Sequence, residues 1–113
     1  MTQRIDDRWI TMVPGIRRRT VAAGEHMMQM VVVLDSGSHL PEHQHPHEQL
    51  TYVLHGRLRF MLAGAPQELG AGDSLCIPGG TLHAVDALED TLVIDTFSPP
   101  REDLLAQDRA LER

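Results

Sequence analysis

The chain has 113 residues, 42% of them hydrophobic, and a formal net charge of −6. This length and composition fit one compact domain with an apolar core, and the acidic balance gives no electrostatic basis for binding nucleic acid. All ten basic residues are arginines, which excludes Schiff-base catalysis, a lysine general base and a P-loop.

The sequence also indicates where the protein works. The single cysteine, Cys76, excludes an internal disulfide. No apolar run is long enough to span a bilayer, and residues 1–10 are too charged for a signal peptide. We therefore expect a cytoplasmic protein that associates with neither membranes nor nucleic acid.

Short β-prone segments, separated by glycine and proline turns, run along most of the chain. Residues 1–14 are expected to form an N-terminal arm with one short strand, and residues 15–113 a single domain. Strands are predicted at residues 16–23, 27–34, 50–54, 57–62, 74–77, 82–85 and 91–97. A short helix is predicted to begin at Ser98 or Pro99. Roughly eight to ten strands at this spacing indicate an all-β sandwich or barrel with one C-terminal helix.

Three of these strands carry further expectations. The segment 27–34 is almost entirely apolar and is predicted to be buried on both faces. The segment 57–62 alternates strictly, which predicts a hairpin with the preceding strand. The segment 16–23 contains three consecutive arginines, which indicate a solvated strand with one residue facing the other way. The alternative is that one of these arginines binds an anionic ligand.

A cluster of histidines lies at residues 43–49, which read His-Gln-His-Pro-His-Glu-Gln. In an extended strand alternate side chains share a face, so His43, His45, His47 and Gln49 could converge on one side. A bound transition metal is the simplest reason for such a group. Glu48 is the alternative to Gln49 as a ligand, but it is out of phase with the rest. His47 follows a proline and is interpreted as a turn or supporting residue.

The spacing of glycines and histidines resembles the two motifs of the cupin superfamily. Residues 37–56 read Gly-x5-His-x-His-x3-Gln-x6-Gly, and residues 72–83 read Gly-x5-Pro-x-Gly-x2-His. The resemblance implies a small jelly-roll barrel that holds one divalent metal in its interior. It assigns the four ligands, with glutamine where cupins usually have glutamate, as His43, His45, Gln49 and His83.

The ligand set limits the chemistry without naming the metal. Three imidazoles and an amide oxygen accept nickel, zinc, iron, cobalt or manganese. Because all four ligands are neutral, a divalent ion keeps its whole charge, which favours Lewis-acid chemistry over a ferric dioxygenase.

A second group of candidates lies at the end of the last predicted strand. Asp95 interrupts an apolar run in phase with Val93 and Phe97, and a carboxylate in that position must be paired, ligated or functional. Arg101 follows six residues later. The spacing allows a structural Asp95–Arg101 salt bridge, or a working pair in which Asp95 is an acid/base and Arg101 binds a substrate carboxylate.

Residues 13–18, 43–56 and 95–103 are similar to the small pectin-degradation cupins, which ketonise 4,5-unsaturated uronates left by polysaccharide lyases. The resemblance extends over nearly the whole chain and implies a linear 4-deoxy-5-keto uronate as product. It also implies roles for five residues: Asp95 moves a proton, Arg101 fixes the substrate carboxylate, and Phe97 with Arg17 or Arg19 completes the substrate site.

Other interpretations remain open at this point. One is a different metal-cupin enzyme, such as a polyketide cyclase, a lyase or a dioxygenase. Another is a non-catalytic cupin that senses a metal or a small ligand, although metal binding alone needs neither Asp95 nor Arg101. The resemblance further suggests a homodimer, and the apolar segment 27–34 and the arm with Trp9 are expected to leave edges that a second copy covers.

Overall fold

The computed structural model describes residues 9–111 of the chain. This part is mostly strand, with one short C-terminal helix, and the predicted all-β fold is confirmed. No helix in it has the length and apolar content to cross a bilayer. The elements in chain order are β1 Ile10–Val13, β2 Ile16–Ala23, β3 Met28–Leu34, β4 His39–His43, β5 Glu48–His55, β6 Arg57–Leu62, β7 Ala65–Gly70, β8 Ser74–Ile77, β9 His83–Ala87, β10 Thr91–Ser98 and α1 Glu102–Ala110.

The strands form two antiparallel sheets that enclose one core. A six-stranded sheet has the order β1-β2-β3-β10-β5-β8, and a four-stranded sheet has the order β4-β9-β6-β7. Side chains alternate between the two faces of each strand, so the apolar positions of both sheets meet on the inside. The buried core includes Met30, Val32, Val53, Leu58, Phe60, Val85, Val93 and Phe97.

Strand β3 lies in the interior of its sheet, between β2 and β10. Only its inner face is fully buried: Gln29 is exposed, and Val31 and Val33 on the outer face are half-buried. The expectation of burial on both faces is therefore wrong. Buried and half-buried positions alternate along β3, but valine occupies both kinds of position, so the sequence does not show the alternation. β3 also offers no free edge, so it does not support association; the homodimer stays a prediction that the mass in solution would test.

The N-terminal arm predicted at residues 1–14 lies partly outside the described residues. Its described end contributes β1, which pairs antiparallel with β2 in the six-stranded sheet. The arm therefore adds an edge strand to the sheet.

Strands β5 and β6 do not form the predicted hairpin, because they belong to different sheets. Between them the chain turns a corner at Gly56, whose φ of 96° lies in the left-handed region. A Cβ at this position would overlap the carbonyl oxygen of Asp90 and the side chain of Thr91. Gly56 is thus required both for the backbone turn and for the close approach of the chain leading into β10.

The C-terminal helix is attached to the barrel through Arg18, the one arginine of its run that faces inward. Arg17 is exposed and Arg19 half-buried, whereas Arg18 is fully buried. Its guanidinium donates to the Leu104 carbonyl oxygen at 3.1 Å. The same guanidinium also binds the side chains of Gln107 at 2.9 Å and Asp108 at 3.1 Å.

Helix α1 begins later than the sequence indicates. Strand β10 continues through Ser98, and Arg101 still has an extended backbone, so the first helical residue is Glu102. Two acidic residues, Glu102 and Asp103, occupy the first turn, where the helix dipole favours negative charge. Leu104 fixes the helix to the core.

Candidate metal centre and active site

Four side chains meet where the two sheets approach each other. His43 ends β4, His83 begins β9, and these two residues face each other in the pairing of the strands. His45 lies in the loop after β4, and Gln49 is the second residue of β5. The segment 43–49 is therefore not one strand with alternating side chains; it crosses from the four-stranded sheet to the six-stranded sheet. One ring nitrogen of each histidine lies within 4.8 Å of those of the other two.

The glycines of the second motif bring a turn close to the histidine loop. Gly80 donates its backbone N–H to the carbonyl oxygen of His45 at 2.8 Å. A Cβ on Gly79 would overlap the carbonyl oxygen of Pro46. Only glycine permits this approach, which joins the turn before His83 to the loop that carries His45.

Each of the three histidines directs its Nδ1 at a backbone carbonyl oxygen. Such an oxygen can only accept, so the tautomer with the hydrogen on Nδ1 satisfies this contact and leaves Nε2 with a lone pair. The buried Nε2 of His83 has no hydrogen-bond partner within the described part of the chain. The accepting carbonyls for His43, His45 and His83 are those of Pro41 at 2.8 Å, His47 at 3.1 Å and Thr81 at 2.8 Å.

The protonation states suit a metal site. Burial, followed by the positive charge of Arg101, lowers the pKa of His45 to about 4. Burial also lowers the pKa of His83. Both imidazoles are therefore neutral near pH 7, as metal ligation requires.

Gln49 points its amide oxygen at the same place. Its Nε2 donates to the Thr51 hydroxyl oxygen at 2.9 Å, which leaves Oε1 facing His45 Nε2 at 3.1 Å. Neutral His45 has a single ring hydrogen, and both of its nitrogens face oxygens that can only accept. With that hydrogen on Nδ1, Nε2 and Oε1 face each other as two lone-pair atoms. A cation at this point satisfies both atoms, so the residues present fit a divalent transition metal.

His47 and Glu48, the other two candidate ligands of the histidine segment, lie outside this group. His47 is half-buried, with its ring centroid 5.5 Å from that of His45, and it is not among the three histidines that converge. Glu48 is exposed, and its carboxylate lies 3.9 Å from the Cys76 sulfur. Glu48 therefore faces away from the site, as its phase along the strand predicts.

Asp95 is buried on the inner face of β10, next to the ligand group. It accepts a hydrogen bond of 2.6 Å from the Thr51 hydroxyl. Burial raises the pKa of its carboxyl group to about 6, although hydrogen bonds from Thr51 and Gln49 and the charge of Arg101 act in the opposite direction. This carboxyl group can therefore exist in both protonation states near neutral pH, as an acid/base residue must.

Arg101 is oriented by Asp103 and Phe97. Its Nε and Nη2 donate to the two carboxylate oxygens of Asp103 at 3.1 and 2.9 Å, and its guanidinium carbon lies 5.1 Å from the centre of the Phe97 ring. The Phe97 ring in turn packs edge-on against His45. Within residues 9–111 the ion pair of Arg101 is with Asp103, so the salt bridge with Asp95 that the spacing allowed is not formed.

Arg17 and Arg19 are not brought to the site. They lie on the outer face of β2, with guanidinium carbons 5.7 and 4.6 Å from the centre of the Trp9 ring. Neither lines the cavity. This placement gives no support to their predicted part in substrate binding, because the alternation of the strand turns only Arg18 inward, where its guanidinium binds helix α1.

The site opens into a cavity between the two sheets. Its deep wall is apolar, formed by core residues such as Met30, Val32, Leu58 and Phe60. The polar side chains that line it are His43, Gln49, Thr51, His83, Asp95 and Arg101.

Thr51 is the functional candidate that the sequence analysis missed. Its side chain lies between Gln49 and Asp95 and binds both. The available signal was its phase, since it follows Gln49 by two residues on the same strand and therefore shares its face. A threonine in a strand is ordinarily explained by β propensity, so it attracts no attention without the structure.

Residues 30–96 match the family described as Cupin domain. The chain is 32% identical over 105 residues to the pectin degradation protein KdgF of Dickeya dadantii, covering 89% of this chain and 96% of that protein. Its structure is also similar to that of KdgF from Halomonas sp., with a TM-score of 0.83 and 37% identity over 92% of this chain and 99% of that one.

A shorter similarity links the chain to an enzyme of different chemistry. It is 36% identical over 63 residues to the dimethylsulfoniopropionate lyase DddQ of Ruegeria pomeroyi. That match covers 55% of this chain and 31% of the lyase. This similarity therefore covers a much smaller part of the chain than the similarity to the two KdgF proteins does.

Proposed function

Since the chain belongs to the cupin family, we propose that it is a metal-dependent enzyme that converts 4,5-unsaturated uronates to linear 4-deoxy-5-keto uronates. The observation that carries this proposal is that Asp95 and Arg101 line the same cavity as His43, His83 and Gln49. The extended similarity to KdgF, a pectin degradation protein, supports the substrate class.

The metal would be held by three histidine Nε2 atoms and the amide oxygen of glutamine, from His43, His45, His83 and Gln49. When bound, a divalent ion supplies Lewis-acid polarisation of substrate oxygens. The ligands themselves bring no negative charge to reduce this effect. No redox change is needed, since the proposed conversion is an isomerisation.

Arg101 is suited to hold the substrate carboxylate. Arg101 lines the cavity, and Asp103 engages its Nε and Nη2 and fixes the plane of the guanidinium, which leaves Nη1 outside this ion pair. A planar guanidinium binds a carboxylate through two parallel hydrogen bonds, which fixes orientation as well as position. The Arg101 guanidinium also stacks on the Phe97 ring, with its carbon 5.1 Å from the ring centre.

Asp95 is proposed to move the proton. In ring opening the anomeric hydroxyl loses its proton, the bond between C1 and the ring oxygen breaks, and C1 becomes an aldehyde. The ring oxygen takes up a proton to give the C5 enol, which then loses that proton while C4 gains one, leaving a ketone at C5. The atoms balance without a co-reactant, and a carboxyl group with a pKa of about 6 can serve in both directions of transfer.

The direct test is to mix the metal-loaded protein with unsaturated uronates derived from galacturonate, guluronate and mannuronate. We expect the absorbance of the C4=C5 double bond to disappear much faster than in an enzyme-free reaction, with the 5-keto product formed in equal amount. Identical rates with and without protein, for all three substrates, would overturn the proposal.

A second candidate function is a lyase, favoured by the 63-residue similarity to the dimethylsulfoniopropionate lyase. In such an enzyme Asp95 would act as the base that removes a proton next to the leaving group. Turnover of dimethylsulfoniopropionate by a protein that leaves all three uronates unchanged would establish this alternative.

A further inference from the structure

One hydroxyl group connects the metal-ligating amide to the acid/base residue. Thr51 is 1% exposed, accepts from Gln49 Nε2 at 2.9 Å and donates to Asp95 Oδ1 at 2.6 Å. A hydroxyl has one hydrogen and two lone pairs, so the hydrogen given to Asp95 leaves only lone pairs for Gln49. With Asp95 as a carboxylate, which can only accept, the direction of both hydrogen bonds is fixed.

We propose that Thr51 is a positioning residue that holds the Gln49 amide oxygen toward the metal and aligns the Asp95 carboxyl group with it. The part that concerns Asp95 rests on the proposed function. The part that concerns Gln49 needs only that the site binds a metal.

Glutamine needs such a partner more than glutamate does. Its amide has an oxygen and a nitrogen of nearly equal size, and a half-turn would present N–H groups to the cation. An acceptor beside Nε2 prevents this turn. Thr51 accepts from Gln49 while its own hydrogen goes to Asp95, so the three side chains form one chain of hydrogen bonds.

The register of the sheet builds this arrangement. Thr51 lies opposite Asp95 in the pairing of β5 with β10, and Gln49 lies opposite Phe97. Directly opposed side chains on one face have Cβ atoms about 4.5–5.5 Å apart, close enough for a single hydroxyl to reach across. The β-branched side chain of Thr51 also has few accessible rotamers, so its hydroxyl stays between the two partners.

The test compares Thr51→Val, which keeps the shape and removes the hydroxyl, with Thr51→Ser, which keeps the hydroxyl. Zinc is titrated into the metal-free proteins without substrate, and affinity is read by competition with a chelator. We expect Thr51→Val to bind zinc about 10- to 100-fold more weakly, as is usual when a partner of a metal ligand is lost. Thr51→Ser should retain the affinity of the unchanged protein.

Steady-state kinetics with the converted uronate provide the second readout. At saturating zinc, kcat of Thr51→Val should fall while KM stays nearly constant, because Arg101 still binds the carboxylate. Thr51→Ser should restore kcat. Thermal unfolding checks that the variants are folded, and Thr51→Ala replaces the valine variant if the latter does not fold.

The outcomes separate this inference from the proposed function. Zinc affinity in Thr51→Val equal to that of the unchanged protein overturns the inference, even if uronates are converted. Equal losses in the valine and serine variants also overturn it, since packing and not the hydroxyl would then matter. A protein that binds zinc but converts no uronate overturns the proposed function, while the zinc titrations still decide the role of Thr51 toward Gln49.

Discussion

Asp95→Asn is expected to lower turnover of unsaturated uronates by at least about 100-fold while the metal content stays unchanged. Asparagine has the shape of aspartate, and its amide oxygen can still accept the hydrogen bond from Thr51. The ligand Gln49 therefore keeps its orientation. What the variant loses is the proton that a carboxyl group with a pKa of about 6 exchanges with the substrate.

The measurement is kcat together with elemental analysis of the same protein sample. Asp86→Asn is a matched control, because Asp86 pairs with the exposed His39 on the surface and does not line the cavity. It should have the turnover and metal content of the unchanged protein. Unchanged turnover in Asp95→Asn would remove Asp95 from the mechanism.

The pH dependence of the unchanged enzyme gives a further check on the same residue. With a pKa of about 6, the carboxylate form is lost as the pH falls through 6 and the protonated form is lost as the pH rises through 6. A rate that requires Asp95 as a base therefore falls on the acid side, and one that requires it as an acid falls on the alkaline side. The residual activity of Asp95→Asn should not show this change of rate near pH 6.

His83→Ala is expected to abolish both stable metal binding and turnover. His83 is 2% exposed, and its Nε2 lacks a hydrogen-bond partner in residues 9–111. Removing it takes away one of three imidazoles, so the loss of affinity should exceed the roughly 10- to 100-fold that follows loss of a supporting partner. Elemental analysis after dialysis measures the metal.

The exposed His26 provides the control for this variant. It pairs weakly with Glu25 on the surface, so His26→Ala should keep metal and turnover. Full metal content in dialysed His83→Ala would contradict the assignment of this histidine as a ligand.

The strand positions could be predicted from sequence because alternation and turn residues are local properties. The segments 16–23, 57–62 and 74–77 coincide with β2, β6 and β8. Which sheet a strand joins is a property of the whole chain, and so β5 and β6 were wrongly predicted to pair. Local sequence cannot distinguish a hairpin from a corner when both contain a single glycine such as Gly56.

The candidate site shows the same division. His43, His45, His83 and Gln49 could be found because motif spacing specifies them, and the structure brings them together. The position of Arg17 and Arg19 away from the cavity could not be predicted. A run of three arginines shows no polar–apolar alternation that would tell which of them faces inward. Thr51 could not be singled out, since its importance lies in the two partners that the β5–β10 register gives it.

The attachment of helix α1 by Arg18 has a consequence for how such an enzyme can diversify. All four proposed ligands lie between residues 43 and 83, whereas Arg101, proposed to bind the substrate, stands just before helix α1. Arg18 of β2 fastens that helix through the Leu104 carbonyl oxygen and the Gln107 side chain. The proposed metal ligands and the proposed substrate-binding arginine are thus encoded in separate stretches of chain. We therefore expect substitutions in the segment after β10 to change which carboxylic acid is bound while the proposed metal ligands stay in place.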